Sequence, residues 1–432
     1  MKVLALSIPR VIHWGKLFII TGGAQFLVQA AGLVTGFFVL RMLTVQQYAL
    51  YTLANTMLGT LTVLADSGIS NGVMSQSGKV WQHKIKLGAV IATGLDLRKR
   101  FAVISLIVSV PVLFYLLLHH GANWGSSILI VISIIPAFFA ALSDSLLEIV
   151  PKLHQDIKLL QKNQVAVGVG RLLLSLLLVF VFPLAFIVVL CNGIPRIYGN
   201  LRLRKIAGRH AEFNQPPNPV IRRSIIAVVK RVMPISVYYC ISGQLTLWFI
   251  SLFGKTASIA QMGALGRIAF IMNFFSVIIS TLIIPRFARM HADRKTLAKR
   301  YAGILTGVIL NCAILTVLAY LFSSQILLLL GRNYTGLDHA LLLCIIGSSL
   351  GLLTNVAFGL ISSRGFFMHT VFLIIVNVLS IVVAIFFFNL ATLQGILWFN
   401  IMVEGISFLL AVCYSYYQLK KNSSFAVNDA VH

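Results

Sequence analysis

Twelve apolar runs, each about 20 residues long, follow one another along the chain with short basic segments between them. Only a helix or a closed barrel satisfies its own backbone inside hydrocarbon, and a helix needs about 20 apolar residues to cross a core of roughly 30 Å. The runs predict spans near 17–40, 47–66, 101–118, 126–148, 165–181 and 184–200. A second set lies near 232–253, 258–284, 301–323, 338–361, 366–389 and 393–418. With 59% hydrophobic and 10% charged residues, the chain falls far below the roughly 25% charge of a soluble domain. Its solvent is largely lipid. The expected fold class is all-α integral membrane, with about twelve transmembrane helices in two parallel-repeat six-helix lobes. The expected division is an N-terminal lobe over 1–200, a basic cytoplasmic linker over 201–231, a C-terminal lobe over 232–418 and a cytoplasmic tail over 419–432.

The net charge of +25 has two readings, nucleic acid or membrane topology. With the N-terminus inside, thirty of the 35 basic residues fall in segments expected to be cytoplasmic. These include Lys79 to Arg100, Arg196 to Arg231 and Arg286 to Arg300. Only Arg41, Lys255 and Arg332 fall outside, and Arg171 and Arg267 lie within spans. Such asymmetry between short loops is the positive-inside pattern. It predicts a multi-pass protein of a plasma membrane, with both ends cytoplasmic and no nucleic-acid partner. The five cysteines stand singly in apolar runs without metal or disulfide spacing, so they read as small hydrophobes.

Shifting the chain by 214 residues lays the first two spans on the seventh and eighth. Arg41 then meets Lys255 and Ala49 meets Gly263. Halves related this way are parallel repeats about an axis along the membrane normal, an arrangement in which substrate is held between the halves.

Polar residues line single faces of several spans at offsets of 3 and 4. The sets are Gly22, Gln25, Gln29, Gly32 and Gly36; Tyr48, Tyr51, Asn55, Thr62 and Asp66; Ser236, Tyr239, Gly243 and Thr246; and Asn273, Ser276 and Ser280. They read either as helix packing or as walls of a wet cavity. A mid-span Arg costs at least roughly 2.5–3.5 kcal/mol on insertion scales, so Arg171 and Arg267 face either a carboxylate (Asp144, Glu148 or Glu404) or a lumen, where a guanidinium suits phosphate oxygens. Arg41 and Lys255 flank the expected outer mouth. Asp144 and Glu148, four residues apart, and the mid-span Glu404 are the candidates for proton or sodium coupling. No nucleophile elbow, Walker loop or metal signature appears, so neither an enzyme nor a bound cofactor is expected.

Three segments carry a family likeness. LTVQQYALYTLANTM running to ADSGISNGVMSQ, GALGRIAFIMNFFSVIISTLIIPRF ending at Pro285, and ILLLLGRNYTGLDHALLLCIIG resemble the polysaccharide-exporter branch of the multidrug/oligosaccharidyl-lipid/polysaccharide superfamily, the O-antigen-type flippases. Ala49 stands where that family usually has Gly. The resemblance implies a two-lobed bundle moving an undecaprenyl-diphosphate-linked glycan from the cytoplasmic to the outer leaflet of a bacterial inner membrane. It also implies membrane lipids, a glycan polymerase and chain-length proteins as partners. By the same resemblance Arg267 and Arg171 would contact diphosphate or acidic sugars, and Gln25, Gln29 and Asn55 glycan hydroxyls. The alternatives are a cation-coupled multidrug exporter, a lipid II flippase (a branch with two further helices), and a glycan polymerase or glycosyltransferase, which the short outer loops disfavour.

Overall fold

Thr44 and Asn123 show how the apolar runs are cut into helices. The Gln47 amide donates to Thr44 Oγ1 at 3.3 Å and the Ser126 amide to Asn123 Oδ1 at 2.7 Å, each satisfying a first-turn donor. In this computed structural model residues 8–284, 287, 294–364, 366 and 368–421 are described. The first elements are α1 (Ile8–Met42), α2 (Val45–Asp66), α3 (Ile69–Val80), α4 (Lys84–His119), α5 (Trp124–Leu147), the one-turn α6 (Ile149–Leu153), α7 (Ile157–Val181) and α8 (Ala185–Ala207). They are followed by α9 (Pro219–Phe253), α10 (Thr256–Ile278) with a π-helical continuation (Ile279–Ile283), α11 (Arg294–Leu321), α12 (Ser323–Leu330), α13 (Asp338–Ser362), α14 (Thr370–Phe387) and α15 (Leu393–Lys421).

Every one of the twelve expected spans is met by a helix, and no strand occurs among the described residues. Among the described residues six helices are long and apolar enough to cross a bilayer: α4, α5 with α6, α7, α11, α13 and α15. Their outward faces are apolar: Ile107 is 68% exposed, Phe180 69% and Leu409 63%. Water would not tolerate that surface; lipid does.

The expected loops need correction. Residues 67–100 contain α3 and the first turns of α4, and residues 196–231 belong largely to α8 and α9, leaving 208–218 between them. Apolarity marks only the stretch in hydrocarbon, while the backbone stays helical beyond it, where Lys and Arg meet water. These extensions have their own core, in which Ile69, Val73, Leu87, Ile91, Leu146, Val150, Leu203 and Ile225 are buried together.

The described residues divide into two compact units between Leu245 and Thr246, inside α9. In the first unit α2 packs on α5 and α8, α4 on α5, α5 on α8, and α7 on α8. The second unit repeats these pairings as α10 on α13 and α15, α11 on α13, α13 on α15, and α14 on α15. The repeat is real, but its register at the first junction is 211, not 214. Met42 and Phe253 end their helices 211 residues apart, as Val45 and Thr256 begin theirs. In that register the buried Tyr48, Ala49, Ala54 and Met57 fall on the buried Ile259, Ala260, Leu265 and Ile268. Three residues is nearly one helical turn, so the wrong register kept much of the same pattern. Arg41 accordingly does not correspond to Lys255.

Cys191, Cys240, Cys312 and Cys344 are free and buried, as small hydrophobes are, and Cys413 is free and exposed.

The 208–218 segment is pinned to the start of α4. The Glu212 amide donates to the Lys84 carbonyl at 3.2 Å, and a Cβ on Gly88 would lie 1.8 Å from the Glu212 carbonyl oxygen. The same segment carries His210, whose ring stacks on His154 with centroids 4.1 Å apart. Trp81 meets His154 edge-on, and Asp156 Oδ2 stands 3.9 Å from His210 Nε2. Burial, and after it the neighbouring His154, hold His210 below the ordinary histidine value against the opposing pull of Asp156.

Two outcomes are expected. Gly88→Ala should destabilise the first unit by about 1–3 kcal/mol, the usual cost of overpacking. Melting in detergent and tryptic cleavage at Arg209 measure this, with Gly78→Ala as a neutral control because nothing lies near its Cβ position. His210 binds its proton less readily folded than unfolded. Its contribution is therefore complete above pH 6.5 and declines as pH falls from there toward the lowered folded value. A melting series from pH 5 to 8 should slope upward through that window, and His210→Gln should flatten it.

Candidate functional site

A bend between α2 and α3 builds the floor of the first cavity. Ser67 and Gly68 take φ of 42° and 88°, and Gly68 is also pressed against Val232, where a Cβ would come within 2.9 Å. Only a glycine takes both conditions without strain. The reversal lets Asp66 Oδ1 accept from the Ser70 amide at 3.0 Å and the Ser70 hydroxyl at 2.9 Å, so the D-S-G-I-S motif is a helix-to-helix corner closed by its own aspartate.

Arg98 secures that corner. It is 2% exposed and reaches from α4 to three other helices: Nη2 donates to Asp66 Oδ1 and Ser70 Oγ, and Nη1 to the Leu142 carbonyl and Ser145 Oγ. A buried guanidinium is tolerated only when partnered like this. Above the clasp lies a cavity of about 450 Å³ with Asn55, Thr62, Asp66, Ser70, Ser145 and Arg196 in its wall. By hydropathy alone Arg98 and Arg196 fall among the loop cations. The signal for Arg98 was present: Leu87, Ile91, Gly94 and Arg98 recur at offsets of 4, 3 and 4, a helical face that neighbouring lysines diluted below the apolar threshold.

A second cavity, of about 300 Å³, opens between α1, α5, α7 and α8, and Arg196 lines it too. Asp144 lies in the last turn of α5 and Glu148 is the residue that caps it, while Arg196 and Asn200 lie one turn apart on α8, which packs against α5. Arg196 Nε donates to Asp144 Oδ2 at 3.1 Å and Asn200 Nδ2 to Asp144 Oδ1 at 2.7 Å. Lys152 Nζ meets Glu148 Oε2 at 2.7 Å, and Gln164 Nε2 donates to Glu148 Oε1 at 3.1 Å. Asn163 is 5% exposed in the same wall. Its Nδ2 donates to the Gly199 carbonyl at 3.0 Å, while its Oδ1 has no partner among the described residues.

The expected site residues distribute unevenly. Arg171 lines the second cavity beside Asp144 and Glu148. Asn55 lines the first, with Thr62 and Asp66 of its expected stripe. Gln29 is partly buried on α1, whose contribution to the second cavity is Val28 and Gly32 instead. The side chains of Gln25, Ser236, Tyr239 and Asn273, and the whole of Pro285, lie outside the described residues. Arg41 is exposed at the end of α1, and Lys255 is exposed just before α10. Arg267 is partly buried on α10 in the second unit and lines neither cavity. Glu404, also in the second unit, packs against Gly351 on α13, whose Cβ position is 3.4 Å from Glu404 Oε2. Among the described residues no group of three or more His, Cys, Asp or Glu could hold a metal.

The whole fold superposes on solved transporters over more than nine-tenths of the chain. The fold is a transporter fold. An inward-facing multidrug resistance MATE family transporter of the MOP superfamily superposes with a TM-score of 0.72 at 14% identity, covering 92% of this chain and 96% of its own. The outward-facing conformation of such a transporter gives 0.63 at 14%, covering 93% and 94%. The lipid II flippase MurJ, in an inward closed conformation, gives 0.71 at 12%, covering 93% and 88%. No family model matches the chain, and no curated protein matches it. With this fold and its apolar helices, the chain is a multi-pass membrane protein.

Arg98→Ala would leave Asp66 and three neutral acceptors facing an emptied site. The expected loss is about 3 kcal/mol or more, read as a fall in melting temperature and in membrane levels. Arg98→Lys keeps the charge but not the fork, and should fall between.

Proposed function

We propose that this chain is a flippase that moves a polyprenyl-diphosphate-linked oligosaccharide across a membrane by alternating access. The observation that carries the reading is the arginine-bearing cavity of about 450 Å³ inside a bundle with an apolar exterior. Each unpaired hydroxyl or amide costs roughly 2–7 kcal/mol to place in an apolar medium, so a glycan head group does not cross a bilayer unaided. Asn55, Thr62, Ser70 and Ser145 offer hydroxyl and amide partners to sugars, and guanidiniums offer donors to phosphate oxygens. The polyprenyl tail needs no protein and remains in lipid. The fold shared with a lipid II flippase supports a lipid-linked substrate. Within this reading Arg171 serves the anion, Asn55 the sugar and Arg267 a contact in the second unit, with a glycan polymerase and chain-length proteins acting downstream. The distribution of basic residues supports an orientation with both ends cytoplasmic, and in this reading the membrane is a bacterial inner membrane. The protein is no enzyme in this reading, because it makes and breaks no bond.

The runner-up is a cation-coupled multidrug exporter, favoured by Glu404. That carboxylate has no hydrogen-bond or ion-pair partner among the described residues and could hold a cation or a proton. Against it, the acids at the cavities are committed, Asp66 to Arg98 and Asp144 to Arg196. A cationic drug would meet guanidiniums first.

Reconstituted vesicles decide between them. With a lipid-linked oligosaccharide on one leaflet, the chain should render the glycan accessible to an endoglycosidase on the other side. Efflux of a cationic dye without any glycan translocation would reverse the assignment.

A further inference from the structure

Arg196 differs from Arg98 in one respect that matters. Arg98 spends both terminal nitrogens on protein acceptors. Arg196 makes a single hydrogen bond, through Nε to Asp144, so Nη1 and Nη2 have no protein partner among the described residues. Its side chain is 36% exposed, and it lines both cavities. A guanidinium held by one edge, with its other donors directed to open space, matches the geometry by which arginine grips phosphate with parallel N–H groups.

We infer that Arg196 is the hook for the anionic phosphate of the substrate, and that Asp144 is the carboxylate it exchanges for that phosphate, so that anion binding and protonation of Asp144 occur together. The inference deepens the flippase reading and rests on it.

The exchange follows from charge. With the cavities empty, Arg196 and Asp144 neutralise each other. A phosphate oxyanion arriving in the larger cavity competes for the guanidinium. As Arg196 turns to it, Asp144 loses its cation and retains only the Asn200 amide, an uncompensated carboxylate in a low-dielectric site. Taking one proton from water neutralises it. The charged groups around Asp144 pull in both directions. Glu148, on the same helix, opposes a second negative charge although Lys152 shares it. Arg171 on α7 lines the same cavity and favours the anion, while the described residues of α1 contribute Val28 and Gly32. Release of phosphate reverses both steps: Asp144 returns its proton to water and recovers Arg196. No covalent bond to substrate forms at any point. The result is a proton-linked anion site in the first unit alone, built from a residue that hydropathy assigns to a loop.

Calorimetry on the full chain in nanodiscs tests the inference. Farnesyl diphosphate and inorganic pyrophosphate are titrated separately, in two buffers of different ionisation enthalpy, so that proton uptake is read with binding. The unmodified chain should bind and take up protons near neutral pH. Stronger binding of farnesyl diphosphate marks a lipid-borne phosphate and equal affinity a free one; either result supports the hook. Asp144→Asn should bind about tenfold more tightly, because the competitor is gone, and should take up no proton. Arg196→Ala should bind at least about tenfold more weakly, with Arg196→Lys between, since lysine keeps the charge and loses the fork. Melting curves accompany each variant, and the comparison is made on chains that melt as the unmodified one does. Absence of binding by the unmodified chain, unchanged binding in Arg196→Ala, or unchanged proton uptake in Asp144→Asn overturns the inference. Glycan translocation on the same preparations separates the two ideas. Full translocation by Arg196→Ala removes the hook and leaves the flippase reading standing, whereas no translocation by the unmodified chain removes the flippase reading.

Discussion

A guanidinium can be sealed among helices only where acceptors await its donors, and the first unit is organised around that requirement. Arg98 holds α2, α3, α4 and α5 at one point. The corner at Ser67 and Gly68 exists to bring Asp66 and Ser70 there, and α5 contributes the Leu142 carbonyl and the Ser145 hydroxyl, on either side of Asp144. If that clasp opened, the wall of the larger cavity and the seat of Arg196 would be lost with it. Stability and the candidate site therefore share one interaction, whose desolvation cost is repaid only when all its parts are in place.

The second unit reproduces the helix pairings with different contacts. Small residues let polar side chains approach there: Gly347 and Gly351 on α13 accept Asn400 and Glu404 of α15 at close range, the packing mode expected when apolar driving force between helices is absent. One architecture thus carries two chemistries. The first unit concentrates arginine–carboxylate pairs at its basic end, and the second carries Glu404 within a span.

Much of this was readable in the sequence. Apolar run length located every long helix, because the bilayer imposes that length, and the stripe through Asn55, Thr62 and Asp66 does line a cavity. Arg171 was sensed from its cost in hydrocarbon. Arg98 and Arg196 were missed for the same reason that the helices were found. Hydropathy averages over a window, and a residue near the edge of a span is scored with its lysine-rich neighbours rather than with the buried face it shares. The register of the repeat failed differently. An error of three residues preserves most of a helical pattern, and only the positions of the helix breaks distinguish 211 from 214. Gln29 shows the remaining limit: periodicity selects a face, but the neighbouring helix decides which residue of that face meets the cavity.

The distribution of thiols has a practical consequence. Four of the five cysteines are shut inside helix contacts and one, Cys413 near the end of α15, is open. A maleimide or nitroxide reagent should thus modify the unaltered chain at essentially one position. The natural sequence supplies its own single attachment point for a spectroscopic reporter on the second unit, and a second reporter site introduced in the first would give a distance ruler for the transport cycle without first stripping the native cysteines.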